Sequence, residues 1–416
     1  MIKYLLICAM MTLSVYSDAD SVQFHGFGTL GLATSDQNGP VFLRDASEIK
    51  GAESGGNPLY TDSRVGLQAD WAVSQRLTFV VQGTYAPRAV ENVNQNLQWL
   101  FMRYNISRDW TVRVGRVGSD IFALTDQENV GFTYPWVRPP TEVYGFMPIY
   151  SMDGTDVQFQ HQVGSGTFYA KSFVFEAKPS YFLDDPQLGS TAATQLDFHP
   201  VFGGNLGYKV GNLSLRFSGA TTVDHAPISL LNNALNQATV LAPFDPLFGR
   251  LPTVAEFQNT RTAFYDVNAT YDSDTWYVTT ELTHTYYQSL AKPNKNAGYL
   301  TIGHYYGQDN QWLPFINFAK VDPTRKSLYL NPISGSPAQV VAIADLLNTA
   351  YFDQTGENQQ TWSIGVKYNV TQKSDLKFQV DNVKVFGSNY ADWNTVNGVP
   401  RTSGVTIFSA TYDWVF

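Results

Sequence analysis

Along most of the chain, apolar and polar residues alternate one by one in segments of about ten residues. In residues 63–72, Val65, Leu67, Ala69 and Trp71 share one face, and Arg64, Gly66, Gln68 and Asp70 share the other. Residues 155–163 set Val157, Phe159 and Val163 against Asp156, Gln158, Gln160 and Gln162. In residues 213–220, Leu213, Leu215 and Phe217 oppose Ser214, Arg216 and Ser218. A period of two marks a β-strand with one apolar face. The same reading covers 24–32, 77–85, 97–104, 110–116, 168–175, 202–210, 265–271, 276–282, 299–306, 312–318, 362–368, 376–381 and 405–416, about 16 strands in all.

The connections alternate between short and long. Residues 73–75, 105–109, 164–166, 211–212, 273–275, 307–310 and 371–374 are short. Residues 35–62, 86–96, 117–154, 177–200, 222–262, 285–297, 319–360 and 387–404 are long. Strands joined this way form an up-and-down meander with every tight turn at one end, the pattern of an outer-membrane barrel with short periplasmic turns and long external loops. A soluble sandwich has no reason to alternate its loops. Ten residues at about 3.3 Å each, tilted by about 40°, cover the ~25 Å apolar band. Closure pairs every backbone group in lipid. Arg64, Arg216, Lys367 and Lys377 fall on polar faces, as the cost of about 2–4 kcal/mol for a basic residue facing mid-bilayer requires. Trp71, Trp276 and Trp362 lie near segment ends, where aromatic girdles belong. The fold class is therefore all-β, a transmembrane antiparallel barrel.

Composition agrees. Of 416 residues, 44% are hydrophobic, 14% aromatic and only 15% charged, against about 25% charged in soluble domains. The aromatic content excludes disorder. After the N-terminus no apolar run is long enough for a membrane helix. A net charge of −9 argues against nucleic-acid binding. Residues 1–17 read as a signal peptide, with Lys3 ahead of an apolar core over 4–15 and small residues near 17–19 for cleavage. This leaves residues 20–416 as a single barrel. Cys8, the one cysteine, lies in the part removed.

The last segment places Phe408, Ala410, Tyr412, Trp414 and the terminal Phe416 on one face. With Phe24-His25-Gly26-Phe27-Gly28 at the start, the chain resembles the outer-membrane porins of Gram-negative bacteria end to end. Phe408, Tyr412, Trp414 and Phe416 match their C-terminal assembly signal. Arg113-Val114-Gly115-Arg116 and Ser151-Met152-Asp153-Gly154-Thr155-Asp156 resemble the strands that flank their inward-folded third loop. The resemblance implies a homotrimer of 16-stranded barrels in outer-membrane lipid, passing small hydrophilic solutes. Phe122-Ala123-Leu124 and Tyr134-Pro135-Trp136-Val137-Arg138-Pro139-Pro140 are more apolar than a typical charged constriction.

A 16-stranded barrel is wide enough for an aqueous channel, whose selectivity is set where it is narrowest. The third loop, about 117–153, is the candidate constriction. Asp120, Asp126, Glu128 and Glu142 supply its acids, facing Arg64 and Arg113 on the wall, with Arg116, Arg216 and Glu281 as further pore-lining candidates. Arg113 and Arg116 have opposite parity, which puts Arg116 where the strand bends into the loop. Residues 77–85 and 97–104 are apolar on both faces, so the third loop is expected to pack on their inner side and a subunit on their outer side. A helix is expected over 338–351, with Val340, Val341, Ala344, Leu347 and Tyr351 at helical spacing.

Gly26-Phe27-Gly28-Thr29-Leu30-Gly31 matches GxGxxG but lies within a strand, so strand packing explains it better than a dinucleotide. The six histidines show no metal spacing, and no GxSxG occurs. Asp353-Gln354-Thr355-Gly356-Glu357 lacks the full ligand pattern of a Ca²⁺ loop. No cofactor, metal or enzyme activity is expected. The function expected is a porin for passive diffusion. The alternatives are a selective channel for sugars or anions and an adhesin or structural barrel.

Overall fold

The structure is a computed structural model. It describes residues 21–416 except 39, 49, 89–91, 186–189, 227–228, 257, 325–327, 349–356, 387–392 and 396–403. The signal segment, Cys8 and residues 353–356 thus lie outside the described residues.

Sixteen strands close into one antiparallel barrel, each bonded to its neighbours in sequence. They are β1 (Val22–Ser35), β2 (Arg64–Ala72), β3 (Leu77–Tyr85), β4 (Leu97–Asn105), β5 (Trp110–Val117), β6 (Met152–Val163), β7 (Gly166–Ala177) and β8 (Phe198–Val210). Then come β9 (Leu213–Asp224), β10 (Thr260–Asp272), β11 (Trp276–Tyr287), β12 (Lys295–His304), β13 (Trp312–Pro323), β14 (Gln359–Thr371), β15 (Ser374–Val385) and β16 (Gly404–Val415). Each alternating segment became a strand, and the short and long connections fall as expected.

The outer face is apolar and exposed: Leu30, Val81, Leu206, Val267, Ile316 and Ile364 all point outward. The inner face is polar and buried, with Asp156, Ser218, Asp266, Glu281 and Thr301 at 1% exposure or less. This inversion suits a wall with hydrocarbon outside and would leave a soluble protein with a very large apolar patch.

The barrel closes where β1 pairs with β16, from Phe27↔Val415 to Ser35↔Ile407. A Cβ at Gly26 would lie 2.2 Å from the Phe416 ring, and one at Gly28 equally close to the Trp414 ring. The two glycines make room for the C-terminal aromatics across the seam, which accounts for the GxGxxG match.

The long loops build a second core outside the barrel. Helices Ser229–Ala238, Pro246–Val254 and Ala338–Leu347 bring Leu235, Phe248, Leu251, Val340, Ala344 and Leu347 into one apolar cluster. The expected helix over 338–351 is present to Leu347 and packs on its neighbours. Residues 349–351 are outside the described set.

Candidate functional site: the third loop across the lumen

The chain enters the third loop (residues 118–151) through a distortion at Gly115. This residue has φ +126°, and a Cβ there would sit 2.3 Å from the carbonyl oxygen of Leu100. Only glycine fits that backbone against that neighbour. Gly115 pairs with Gly154 on β6, so both stems of the loop bend together.

Inside, the loop is bonded to the wall around most of its circumference. Asp120 pairs with Lys171 of β7 and with Arg216 of β9 (2.9 Å), and accepts from Asn205 of β8 at 2.9 Å. The Ser218 hydroxyl donates to the Ile121 carbonyl at 2.6 Å. Glu281 of β11 accepts from the Ala123 amide at 2.9 Å and the Tyr144 hydroxyl at 2.5 Å. Trp136 Nε1 donates to Thr301 of β12 at 2.9 Å, and the Val137 amide to Gln379 of β15 at 2.9 Å. Glu142 accepts from Gln359 (2.8 Å) and Thr361, both on β14. Lys367 and Lys377 donate to the carbonyls of Phe132 and Gly131. Asn129 accepts from Arg64 of β2 and donates to Gln98 of β4, both at 3.1 Å.

Arg138 ties the most elements together. Its guanidinium grips both oxygens of Asp62, at 2.6 and 3.1 Å, and reaches Asp381 of β15 at 3.0 Å and Ser409 of β16 at 2.6 Å. Arg44 of the first loop meets the same Asp62 at 3.3 Å. Two loops and two distant strands therefore share one buried charge network. A small cleft lies beside it, lined by Phe42, Trp136, Arg138, Glu142, Gln379 and Asp381 among others.

At the level of the loop, each of the sixteen strands presents at least one buried inward side chain. The third loop therefore narrows the lumen. The reason is apolar: Val117, Ile121, Phe122, Tyr134, Trp136, Val143 and Tyr144 join Val80, Phe101 and Phe173 of the wall in one cluster, with Trp99 and Leu124 packed against it. The inner side of β3 and β4 is covered by this loop, as its two-sided hydrophobicity required.

The expected site residues divide by environment. Arg64, Arg113, Arg216 and Glu281 face the lumen. Arg113 is spent on Asp156, at 2.7 and 2.9 Å. Asp126 is exposed and Glu128 partly buried. Burial would raise Asp120, but Lys171 and Arg216 outweigh it and hold the carboxyl at about 2. Burial pushes Glu128 up to about 7 against the pull of Arg44. Glu142 is also raised by burial, against hydrogen bonds from Thr361 and Gln359.

Arg116 is a correction. It pairs across from Leu100, which is 55% exposed on the outer face, so it shares that face and not the lumen. There it grips Asp153 at 2.7 Å and the Asn94 side chain at 2.7 Å. The cause is strict alternation: Val114 points outward, and so does the residue two further on. Sequence reasoning missed Arg44, Asp62 and Arg88 altogether and read Arg138 only as part of an apolar stretch. An arginine set among prolines, Trp136 and Val137 was the available signal, since such a cation needs a buried acid.

No protein-family model and no curated protein sequence matches the chain. Solved structures do. The anion-selective porin from Comamonas acidovorans is 12% identical, over 95% of this chain and 100% of that one, with a TM-score of 0.51. The outer membrane channel DcaP of Acinetobacter baumannii is 11% identical, over 97% and 100%, at 0.51. Outer-membrane expressed OmpT of Vibrio cholerae is 11% identical, over 97% and 99%, also at 0.51. At such identity the likeness is one of fold, and in fold the chain resembles the outer-membrane porins.

Proposed function

We propose that the protein is a porin-type channel of the Gram-negative outer membrane, carrying small hydrophilic solutes and ions by passive diffusion. The carrying observation is a polar, charged inner wall, crossed by a charged loop, inside a shell whose outer face is apolar. In this reading Asp126 and Glu128 on the loop, with Arg64, Arg113 and Arg216 on the wall, set the field a solute crosses. Residues 1–17 direct export, and Phe408, Tyr412, Trp414 and Phe416 guide assembly. The outward residues Phe79, Val81, Leu100 and Tyr104 offer a subunit contact for a homotrimer in outer-membrane lipid. The protein is read as no enzyme: the His161–Asp109 and His199–Asp197 contacts are exposed pairs near strand ends.

A second reading, a substrate-selective channel, is favoured by the ring of buried inward side chains, since a general pore leaves its narrow zone wet. Single-channel recording of the purified protein in planar bilayers, with reversal potentials in a salt gradient, tests both. Steady conductance supports the channel, and solute block of that current supports selectivity. A barrel that never conducts, even when the loop is loosened, would sink both readings and leave an adhesin or structural role.

A further inference from the structure

Below the third loop the lumen is filled unevenly. On the β14–β16 side the loop carbonyls of Phe132 and Gly131 take bonds from Lys367 and Lys377. There Asp375, the second residue of β15, and Asp413, near the end of β16, are both 0% exposed. On the β4–β8 side the inward residues next to the short turns stay open. Gln160 and Lys209 are exposed, and Arg103, Gln158 and Tyr169 are partly so. The passage left below the loop therefore runs along β4–β8.

Its charges are not balanced. On the inner side of β4–β9, Arg113 pairs with Asp156, while Lys171 and Arg216 share Asp120. Among the described residues, Arg103 and Lys209 have no acid within ion-pair distance. Both lie at the same depth, Arg103 two residues and Lys209 one residue before the end of its strand. Arg103 stands directly across from Arg113, and their guanidinium carbons lie 5.7 and 5.2 Å from the centre of the Phe101 ring. Like charges directly opposed destabilise a strand pair, and here one carboxylate serves both arginines. The ring face offsets part of that cost. Lys209 is flanked across its two strand partners by Thr167 and Ser214, neither of them charged.

The acids around this belt are few. Asp70 on β2 lies two strands from Arg103, about 10 Å at the usual strand spacing, and accepts from Gln68 at 2.8 Å. Asp272 on β10 accepts from the Tyr305 hydroxyl at 3.1 Å. Asp126, the exposed acid of the loop, lies above the belt, with its carboxylate against Gly118 just past β5. Between Arg103 and Lys209 the wall offers the neutral side chains of Gln158, Gln160 and Tyr169.

We propose that Arg103 and Lys209 give the passage a preference for small anionic solutes, exerted at its periplasmic mouth, below the third loop. Both cations are open to the water of the lumen, so an anion can approach without displacing a built-in partner. Fixed positive charge along one wall of a narrow aqueous passage raises the local concentration of anions. The proposal rests on the channel reading and adds to it a second level at which charge is sensed.

The test is the chloride-to-potassium permeability ratio of the intact barrel in planar bilayers, from reversal potentials in a KCl gradient, repeated with potassium acetate. The wild type should favour both anions over potassium. Arg103→Gln and Lys209→Gln should each lower the ratio about twofold, more at about 0.1 M salt than at about 1 M, where the screening length shrinks from about 10 to about 3 Å. Arg103→Lys keeps the charge and should keep the ratio, which a purely structural role for Arg103 would not require. Lys384→Gln, on the outer face of β15, should change nothing. If Arg103→Gln fails to fold, Lys209→Gln, at an exposed position, reports in its place. A wild type that conducts but favours potassium, or a ratio that neither glutamine variant lowers, overturns the proposal and leaves the channel reading standing. A barrel that never conducts overturns the channel reading, and this proposal with it.

Discussion

On the β7–β9 side the third loop meets the wall through ionised partners, with Asp120 between Lys171 and Arg216. On the β2–β4 side it meets amides, with Asn129 between Arg64 and Gln98. Both contacts are buried, yet their charge balance differs. The first consumes its cations, and its acid stays ionised down to about pH 2. The second leaves two guanidiniums without a carboxylate, near a glutamate that titrates at about 7. A buried, fully paired contact fixes position more than it adds stability.

The largest effect should come from breaking the pin that closes the network from the far side. Arg138→Ala leaves Asp62 to Arg44 alone and takes the cation from Asp381, both nearly fully buried. Removing one member of a buried pair costs about 3–5 kcal/mol. The loop should loosen first, since the sixteen-strand ladder does not rest on Arg138. We expect faster protease cleavage within residues 118–151 and larger, noisier single-channel currents. Unchanged cleavage and current would mean that the apolar cluster alone holds the loop.

Asp120→Asn should act next. It keeps the shape but takes the carboxylate from Lys171 and leaves Arg216 with only Asp266 at 4.0 Å, at about 1.5–3 kcal/mol for lost charged hydrogen bonds. It would make the paired wall resemble the unpaired one. Reversal potentials in a salt gradient should therefore shift toward anions. No shift would show that the current passes elsewhere than by Asp120.

These contacts mark what could be read from the sequence. The strands were legible because alternation repeats its message at every residue, so segments such as 155–163 and 265–271 needed no partner to be recognised. Gly26 and Gly28 were legible as strand glycines because no helix followed them. Arg116 was readable in principle: its parity with Val114 puts it outside, and only its likeness to a loop-flanking motif suggested otherwise. The course of the third loop was not legible. Arg138 finds Asp62 from 76 residues away and Asp381 from 243, and Glu142 finds Thr361 from 219 away. Such pairings depend on closure of the barrel, which brings β14 to β16 beside β1 and β2, and no local pattern encodes them. The inward fold of the first loop escaped for the same reason, since Arg44 and Asp62 gain meaning only beside Arg138.

The smallest effect is the one that separates the two walls most cleanly. An unfolded glutamate releases its proton near 4.5, whereas Glu128 in the fold holds it to about 7. Between these values the folded state binds more protons, so stability falls as pH rises through the window. Asp120 runs the opposite way: its contribution is complete above about 3.8 and is lost only as pH falls toward 2. Between pH 5 and 8 Asp120 is therefore silent, and the second and third loops should loosen at the upper end through Glu128. The groups around Glu128 are Arg44, Asp45, Arg64 and Arg88, and the arginines stay charged throughout. Amide hydrogen exchange over residues 126–134, corrected for its intrinsic rate, should be faster at pH 8 than at pH 5. Glu128→Gln should remove the difference, raising local protection at pH 8 and far less at pH 5. An equal pH step in the Glu128→Gln variant would place the titrating group elsewhere. A step that disappears in Asp120→Asn instead would mean that the paired wall, not the unpaired one, senses pH.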